Sequence, residues 1–166
     1  MMRFSFLALI LLFTVSCKKE PQVLDNKNFK LMNLTSIRWS EEDLQELNKR
    51  MVQSIFSSKN IDFSNKKKYY FRQIRNDTYD QIDTQSLQNK IILALNESSK
   101  FNFIEKKDKS DYFFKGKISS IFKKNTMTKD MFFNFNLTLL NSNTSTVLWT
   151  EDIEIRKFYK RSFFSW

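Results

Sequence analysis

The chain contains one cysteine, Cys17, and no histidine, and this restricts the chemistry that its side chains can perform. Histidine is the commonest general base and a common ligand for transition metals, so its absence argues against triad hydrolases, zinc sites and haem proteins. A single thiol leaves no partner for an intramolecular disulfide. These limits agree with our prediction of a chain that has no catalytic residue, no metal site, no cofactor and no enzymatic activity.

Two groups of acidic residues remain as candidates for chemistry. They are Asp77, Asp80 and Asp83 in one segment, and Glu151, Asp152 and Glu154 in another. The first group has a spacing that a hard cation could use, but it lacks the glycine and the distal glutamate of a calcium loop, so turn and cap roles are simpler. The second group is the basis of an envelope-enzyme hypothesis. Because strand side chains alternate, Asp152 and Glu154 are expected on one face and Glu151 on the other, which is typical of a solvated strand.

Cys17 lies where an apolar export segment meets a polar chain. Residues 1–16 have the three zones of a secretory signal peptide: a basic start with Arg3, an apolar run and small Ser16. The run is shorter than the roughly 20 residues that a membrane-spanning helix needs. Cysteine directly after a cleavage site resembles the bacterial lipoprotein pattern, with Thr14 where leucine is usual. We predict lipidation of Cys17, with palmitate among its acyl chains; the alternative is an ordinary buried cysteine in a secreted protein.

The charge and the segment after Cys17 suit an exported, tethered protein. The formal net charge is +10, and loss of Arg3 with the signal peptide would leave +9. A basic surface suits anionic lipid, a cell-wall polymer or an acidic protein patch, although a general lysine bias would also explain it. Export argues against nucleic acid as a partner. Residues 17–38 are predicted to be a lipidated N-terminus and flexible tether, with an r.m.s. reach of about 25 Å.

The remaining sequence predicts an α+β domain. Ser40 and Asp43 have the spacing of a capping box for a helix that ends near Phe56, and Asp83 is placed to cap a second helix. Alternation and β-branched or aromatic content predict strands at residues 69–75, 101–105, 112–118, 133–139 and 147–155. Gly116 lies on the inward phase of its strand, which predicts a kink or close backbone approach rather than a ligand contact. We expect a mixed, largely antiparallel sheet with about two helices packed on one face.

Several segments together resemble the LpoB family of lipoproteins, which activate penicillin-binding proteins. The stretch IRNDTYDQIDT at residues 74–84, followed by residues 87–104, resembles the central signature of that family. Residues 40–52 resemble its first helix, and residues 111–121, 133–140 and 149–157 resemble its strands. The resemblance covers residues 39–157, in the order of the family.

The resemblance implies a function without chemistry in this chain. It implies a lipid-anchored envelope protein, on the periplasmic side of the outer membrane, that binds and activates a bifunctional penicillin-binding protein. Within the matching motifs it implies partner contacts by Arg75, Asn76, Thr78, Tyr79 and Lys117, and a monomer is expected. The alternative is a structural or secretion-accessory lipoprotein that self-assembles or binds another envelope machine, because a fold alone does not fix a function.

Two regions depart from the family pattern. The family has a crossover helix after the strand that matches residues 101–105, whereas only residues 106–110 intervene here before Asp111. We therefore expect a tight turn joining two antiparallel neighbours. Residues 158–166 form an aromatic and basic C-terminal tail, which suits a lipid interface or a partner groove, or folds back on the core.

Overall fold

The computed structural model describes residues 37–61, 63 and 67–160. Cys17, the predicted signal peptide, residues 17–36 of the predicted tether and residues 161–166 of the predicted tail lie outside the described residues. The described chain forms a six-stranded sheet and two α-helices, which confirms the α+β prediction. The elements are α1 (Glu41–Ser57), β1 (Lys68–Phe71), β2 (Arg75–Asp77), α2 (Thr84–Glu97), β3 (Asn102–Phe103), β4 (Tyr112–Lys124), β5 (Thr128–Asn141) and β6 (Val147–Lys160).

Both helices begin with the predicted caps. The Ser40 backbone N–H donates to the Asp43 carboxylate at 2.7 Å and the Asp43 backbone N–H donates to Ser40 Oγ at 3.4 Å, which completes the capping box of α1. Asp83 accepts a 2.8 Å hydrogen bond from the Ser86 backbone N–H at the start of α2. The apolar faces of both helices are buried, at Leu44, Leu47, Met51 and Ile55 in α1 and at Leu87, Ile91 and Leu95 in α2.

The sheet is mixed and largely antiparallel, as predicted. Its strand order is β3-β1-β4-β5-β6, and β2 pairs with β4 further along that strand. The three long strands β4, β5 and β6 are antiparallel neighbours, while β1, β2 and β3 make short parallel pairings. On β5, residues from Met131 to Leu139 alternate between buried apolar and half-buried side chains, so one face of the sheet joins the helices in a single core.

The expectation that the strands near residues 101–105 and 112–118 are antiparallel neighbours is wrong. Both β3 and β4 run parallel to β1 and flank it, so that Tyr69 lies opposite Phe103 on one side and Tyr112 on the other. A short connection suffices because β3 pairs only with the first residues of β1. The chain therefore passes around the beginning of β1 through a 3-10 turn at Lys107–Lys109, and it does not need a crossover that returns along the full length of a strand.

The strand predicted at residues 69–75 is divided by a bulge. Phe71 lies opposite Phe114 and Arg75 lies opposite Lys117, so three residues on one strand face two on the other. Gly116 lies at this point. The predicted kink is therefore present at Gly116, where a Cβ atom would lie 2.9 Å from the side-chain atom Ile74 Cγ1.

The sequence did not reveal a buried ion pair between α1 and β6. Lys157 and Asp43 form a salt bridge although each side chain is only 1% exposed, and Lys157 Nζ also donates to the Arg38 carbonyl oxygen. The carboxylate that caps α1 therefore also neutralises a lysine on the last strand. This pair connects the point where the chain enters the domain with the edge of the sheet.

The last strand is longer than expected. β6 continues to Lys160, so the first residues of the predicted tail, 158–160, belong to the sheet. No helix in the described part of the chain is both long and apolar enough to cross a membrane.

Candidate partner-binding groove

A groove of about 990 Å³ lies beside the bulge between β1 and β2. Its lining comes from β2, from the polar phase of β4 and from the corresponding residues of β5, because side chains on a strand alternate between the two faces. Lys117 lies between Arg75 on β2 and Asn136 on β5, and Lys115 lies opposite Thr138. Arg72, from the bulge, also lines the groove.

The groove is electrostatically positive. Arg72, Arg75, Lys115 and Lys117 are all exposed and line it, and its lining includes no acidic residue. Arg75 is paired at 2.6 Å with Asp77, but within the described residues neither lysine forms a salt bridge. Like charges on neighbouring strands repel each other. An acidic ligand surface would relieve that repulsion.

A hydrogen-bonded loop borders the groove at the end of β2. Asn76 Oδ1 accepts from the Thr78 backbone N–H at 3.0 Å and from Thr78 Oγ1 at 2.7 Å, while Asn76 Nδ2 donates to the Asp80 carbonyl oxygen at 3.0 Å. Asp80 Oδ2 accepts from the Trp39 backbone N–H at 2.8 Å, which joins the loop to the start of α1. The loop is thereby braced while the Tyr79 side chain stays 92% exposed.

The structure brings together three of the five residues for which the resemblance implied partner contacts. Arg75, Asn76 and Lys117 line the groove, whereas Thr78 and Tyr79 lie in the adjoining loop. Whether these residues bind a partner stays a prediction. The sequence analysis missed Lys115, whose position two residues before Lys117 on a strand places both lysines on one face. Arg72 was not predicted either, because Gly116, which predicts the kink, lies on the neighbouring strand and does not indicate which residues pair opposite it.

The acidic trios have structural roles in the described chain. Asp77 pairs with Arg75, Asp80 accepts from Trp39, and Asp83 caps α2. Of the second trio, Asp152 and Glu154 are exposed on one face of β6, and Asp152 accepts from Asn136 Nδ2 at 3.1 Å. Glu151 lies on the opposite phase and accepts from Ser54 Oγ on α1. Across the residues that the structure describes, no three acidic, cysteine or histidine side chains are grouped to hold a metal ion.

The groove presents cations, amides and hydroxyl groups to solvent on an open face of the sheet. The family described as peptidoglycan-synthase activator LpoB matches residues 43–111 and 109–155. The chain therefore belongs to the LpoB family, which confirms the resemblance found in the sequence. The family is one of regulatory activators of peptidoglycan synthases. No curated protein matches the sequence.

Solved structures of similar fold include LpoB domains from two bacteria. The C-terminal domain of LpoB from Salmonella enterica is 11% identical, with a TM-score of 0.50 over 68% of this chain and 97% of that domain. The C-terminal domain from Escherichia coli is 11% identical, with a TM-score of 0.49 over 72% of this chain and 99% of that domain. The solution structure of E. coli LpoB is 10% identical, with a TM-score of 0.45 over 94% of this chain and 88% of that protein. At these identities the likeness concerns the fold alone.

Proposed function

We propose that this protein is a non-catalytic, lipid-anchored activator that binds a bifunctional penicillin-binding protein through the positive groove and the Tyr79 loop. The observation that carries the proposal is the convergence of Arg75, Asn76 and Lys117 on one open groove, in a chain that belongs to a family of synthase activators. The protein acts as a monomer, tethered through acylated Cys17 at the periplasmic face of the outer membrane.

The chemistry of the groove supports a protein partner with an acidic surface. Exposed lysine and arginine side chains steer such a partner and set its orientation, and complementary charge mainly raises the association rate. The Tyr79 side chain, carried on the braced loop, adds a large contact area beside the groove, and a tyrosine loses little conformational entropy on binding because it has only two rotatable side-chain angles. Tyrosine and arginine are also enriched among the residues that dominate interface energies.

Activation follows from differential binding. An activator that carries out no chemistry raises turnover only if it binds the active conformation of the synthase more tightly than the inactive one. A tenfold preference corresponds to a coupling free energy of about 1.4 kcal/mol. The anchor at Cys17 would keep the domain near its partner and so raise the effective concentration.

Titration of a purified synthase with the chain from Lys18 onward tests the proposal. This part keeps the core that the structure describes, since the described core residues lie between Ile37 and Ile155. We expect Tyr79→Ala to weaken binding about tenfold or more, as truncation of a central interface tyrosine does. We expect Lys115→Gln/Lys117→Gln to slow association and to reduce its dependence on salt.

Lys124→Gln/Lys129→Gln is the matched control, because it removes the same charge from the far end of β4 and β5. It should leave stimulation of glycan synthesis unchanged. If the groove and loop variants bind and stimulate every synthase tested as well as the unaltered chain, this interface is not the one used.

One observation favours the alternative of self-assembly. β6 is an edge strand of the sheet among the described elements, and unpaired strand edges invite pairing with another chain. Arg50 donates to the Glu154 carbonyl oxygen at 3.3 Å and so occupies part of that edge. Sedimentation of the unaltered chain separates the two functions: a stable homo-oligomer that does not bind a synthase would support the alternative.

A further inference from the structure

The three long strands continue past the core and end together in a surface that the groove does not use. We define this surface, the distal end, as residues 121–132 and 156–160, around the turn between β4 and β5. It combines basic side chains with exposed apolar and aromatic side chains. Ile121 is 60% exposed, Phe122 is 44% exposed and Tyr159 is 39% exposed.

The charge of the distal end has one sign. Four exposed lysines lie there, and none forms a salt bridge within the described chain; they are Lys123, Lys124, Lys129 and Lys160. Asp130 is the only acidic residue in the two segments, and it is bound by Arg156 through two hydrogen bonds of 2.9 and 2.6 Å. This bonding raises the pKa of Arg156.

Two of these lysines are placed directly against each other. Lys124 lies opposite Lys129 across the β4–β5 pair, and Lys129 lies opposite Tyr159 across the β5–β6 pair. The three side chains line a hollow of about 330 Å³ together with the residues of the turn. Like charges directly opposite on neighbouring strands destabilise a sheet. An anion bound between the two lysines would remove that repulsion.

The position of the chain entry indicates which anionic surface lies nearby. Lys157 donates to the Arg38 carbonyl oxygen and Trp39 packs against Phe133, with ring centroids 5.3 Å apart, so the tether enters the domain beside the distal half of the sheet. Lys157 lies opposite Met131, five residues from Thr126 in the turn, which is about 17 Å along a strand. The predicted tether of about 20 residues has an r.m.s. reach of about 25 Å.

We propose that the distal end is a second membrane contact, which binds anionic lipid headgroups at Lys124 and Lys129 while Phe122 and Tyr159, on the same face of the sheet, enter the interfacial region. This proposal rests on the anchor at Cys17. Basic residues beside aromatic residues suit the headgroup layer of a bilayer. The acyl anchor at Cys17 and the distal end together would fix the orientation of the domain relative to the membrane, whereas a tether alone leaves the domain free to rotate.

The same orientation would fix the position of the groove relative to the membrane. Lys117 lies seven residues before Lys124 on the same strand, about 23 Å away along β4. With the distal end on the lipid surface, the groove faces sideways at a fixed height above the membrane. A synthase held in the envelope would then meet it in one orientation, which reduces the entropy lost on binding.

Co-sedimentation with vesicles tests the contact without the lipid anchor. The chain from Lys18 onward is mixed with vesicles of phosphatidylcholine alone or with about 30% phosphatidylglycerol, which supplies an anionic lipid phosphate surface. We expect binding only to the anionic vesicles. Lys124→Gln/Lys129→Gln should weaken it about 25-fold, since each lysine near an anionic surface contributes roughly fivefold.

Lys115→Gln/Lys117→Gln is the control of equal charge in the groove and should change vesicle binding less than about threefold, because its residues lie about 23 Å or more from Lys124 along β4. If both double variants lose binding equally, overall charge accounts for it and the proposal fails. It also fails if the unaltered chain binds neither kind of vesicle. These outcomes leave stimulation of the synthase, which is measured separately, unaffected.

A fluorophore locates the contact. The chain from Lys18 onward contains no cysteine, so an environment-sensitive label can be attached at Thr126→Cys in the turn, or at Asn143→Cys at the opposite end of β5 as a control. Anionic vesicles should shift the emission of the label at 126 to the blue and leave the label at 143 unchanged. A label at 126 that responds to the synthase but not to vesicles, or to phosphate ions as strongly as to vesicles, would assign the surface to a protein or to a free anion and overturn the proposal.

Discussion

The buried pair between Lys157 and Asp43 allows a sharp test of the structure, through the change Lys157→Met. Each side chain is 1% exposed, so loss of the ammonium group leaves the Asp43 carboxylate away from water with only the Ser40 backbone N–H and Oγ as donors, at 2.7 and 2.9 Å. Removal of one member of a buried ion pair typically costs 3–5 kcal/mol. We expect the unfolding free energy to fall by about 3 kcal/mol, because the Asp43 carboxylate is left buried without its counter-charge. Methionine fills much of the volume of the lysine stem, so little packing is lost in addition.

Urea denaturation of the chain from Lys18 onward measures this change. The midpoint should fall while the slope stays the same, since the surface exposed on unfolding is little altered. In a domain of this size, a loss of 3 kcal/mol corresponds to a melting temperature lower by roughly 10 °C. Lys160→Met is the control, because that lysine is exposed on the same strand and its replacement should change stability by less than about 0.5 kcal/mol.

A double-mutant cycle separates the pair from its surroundings. Asp43→Asn also weakens the capping box of α1, in which the Asp43 carboxylate accepts from the Ser40 backbone N–H, so its cost includes more than the ion pair. The double variant Asp43→Asn/Lys157→Met should be more stable than the sum of the two single changes predicts, by about 2 kcal/mol. A Lys157→Met variant as stable as the Lys160→Met control would refute the buried pair.

Two further predictions concern the sheet and the start of α1. Gly116→Val should lower the unfolding free energy by about 1–3 kcal/mol, because its side chain would clash with Ile74 at the bulge, and Ile74→Ala in the same chain should recover part of that loss in urea denaturation. Hydrogen bonds from Lys90 to Glu41 and from the Glu42 backbone N–H to its own carboxylate lower the pKa of each glutamate below its ordinary value of 4.5. The stability that these two ionised carboxylates contribute is therefore complete above about pH 4.5 and is lost as the pH falls through the lowered pKa values. Lys90→Gln should weaken the dependence of the melting temperature on acid pH. An unchanged dependence would contradict the Glu41 contact.

The local elements were largely predictable because their signals lie within a few residues. The capping box needs only Ser40 and Asp43, and the strand at residues 133–139 shows its buried face by alternation. The prediction failed at the connection over residues 106–110. A short connection usually joins antiparallel neighbours. Here β3 is so short that β1 lies between it and β4. Strand order depends on contacts distant in sequence, which no local pattern encodes.

The candidate groove likewise combines residues that the sequence indicated with an arrangement that depends on contacts distant in sequence. Arg75, Asn76 and Lys117 were named from the family resemblance, and the structure places them together only because β2 pairs with β4 in a register that sets Arg75 opposite Lys117. Arg72 lines the groove beside the bulge, where a Cβ atom on Gly116 would lie 2.9 Å from Ile74 Cγ1. A side chain whose position depends on a bulge between two strands has no signature in either strand alone.

By itself, the sequence determined the chemical limits, the helix starts, the strand faces and the family, since residue types and short-range spacing carry all four. The tertiary structure decided which charges face one another. It buried Lys157 against Asp43, joined the cations of β2 and β4 in one groove, and set Lys124 against Lys129 at the distal end. The physical reason is that electrostatic energy depends on distances and burial, which are fixed only when strands distant in sequence pair in register.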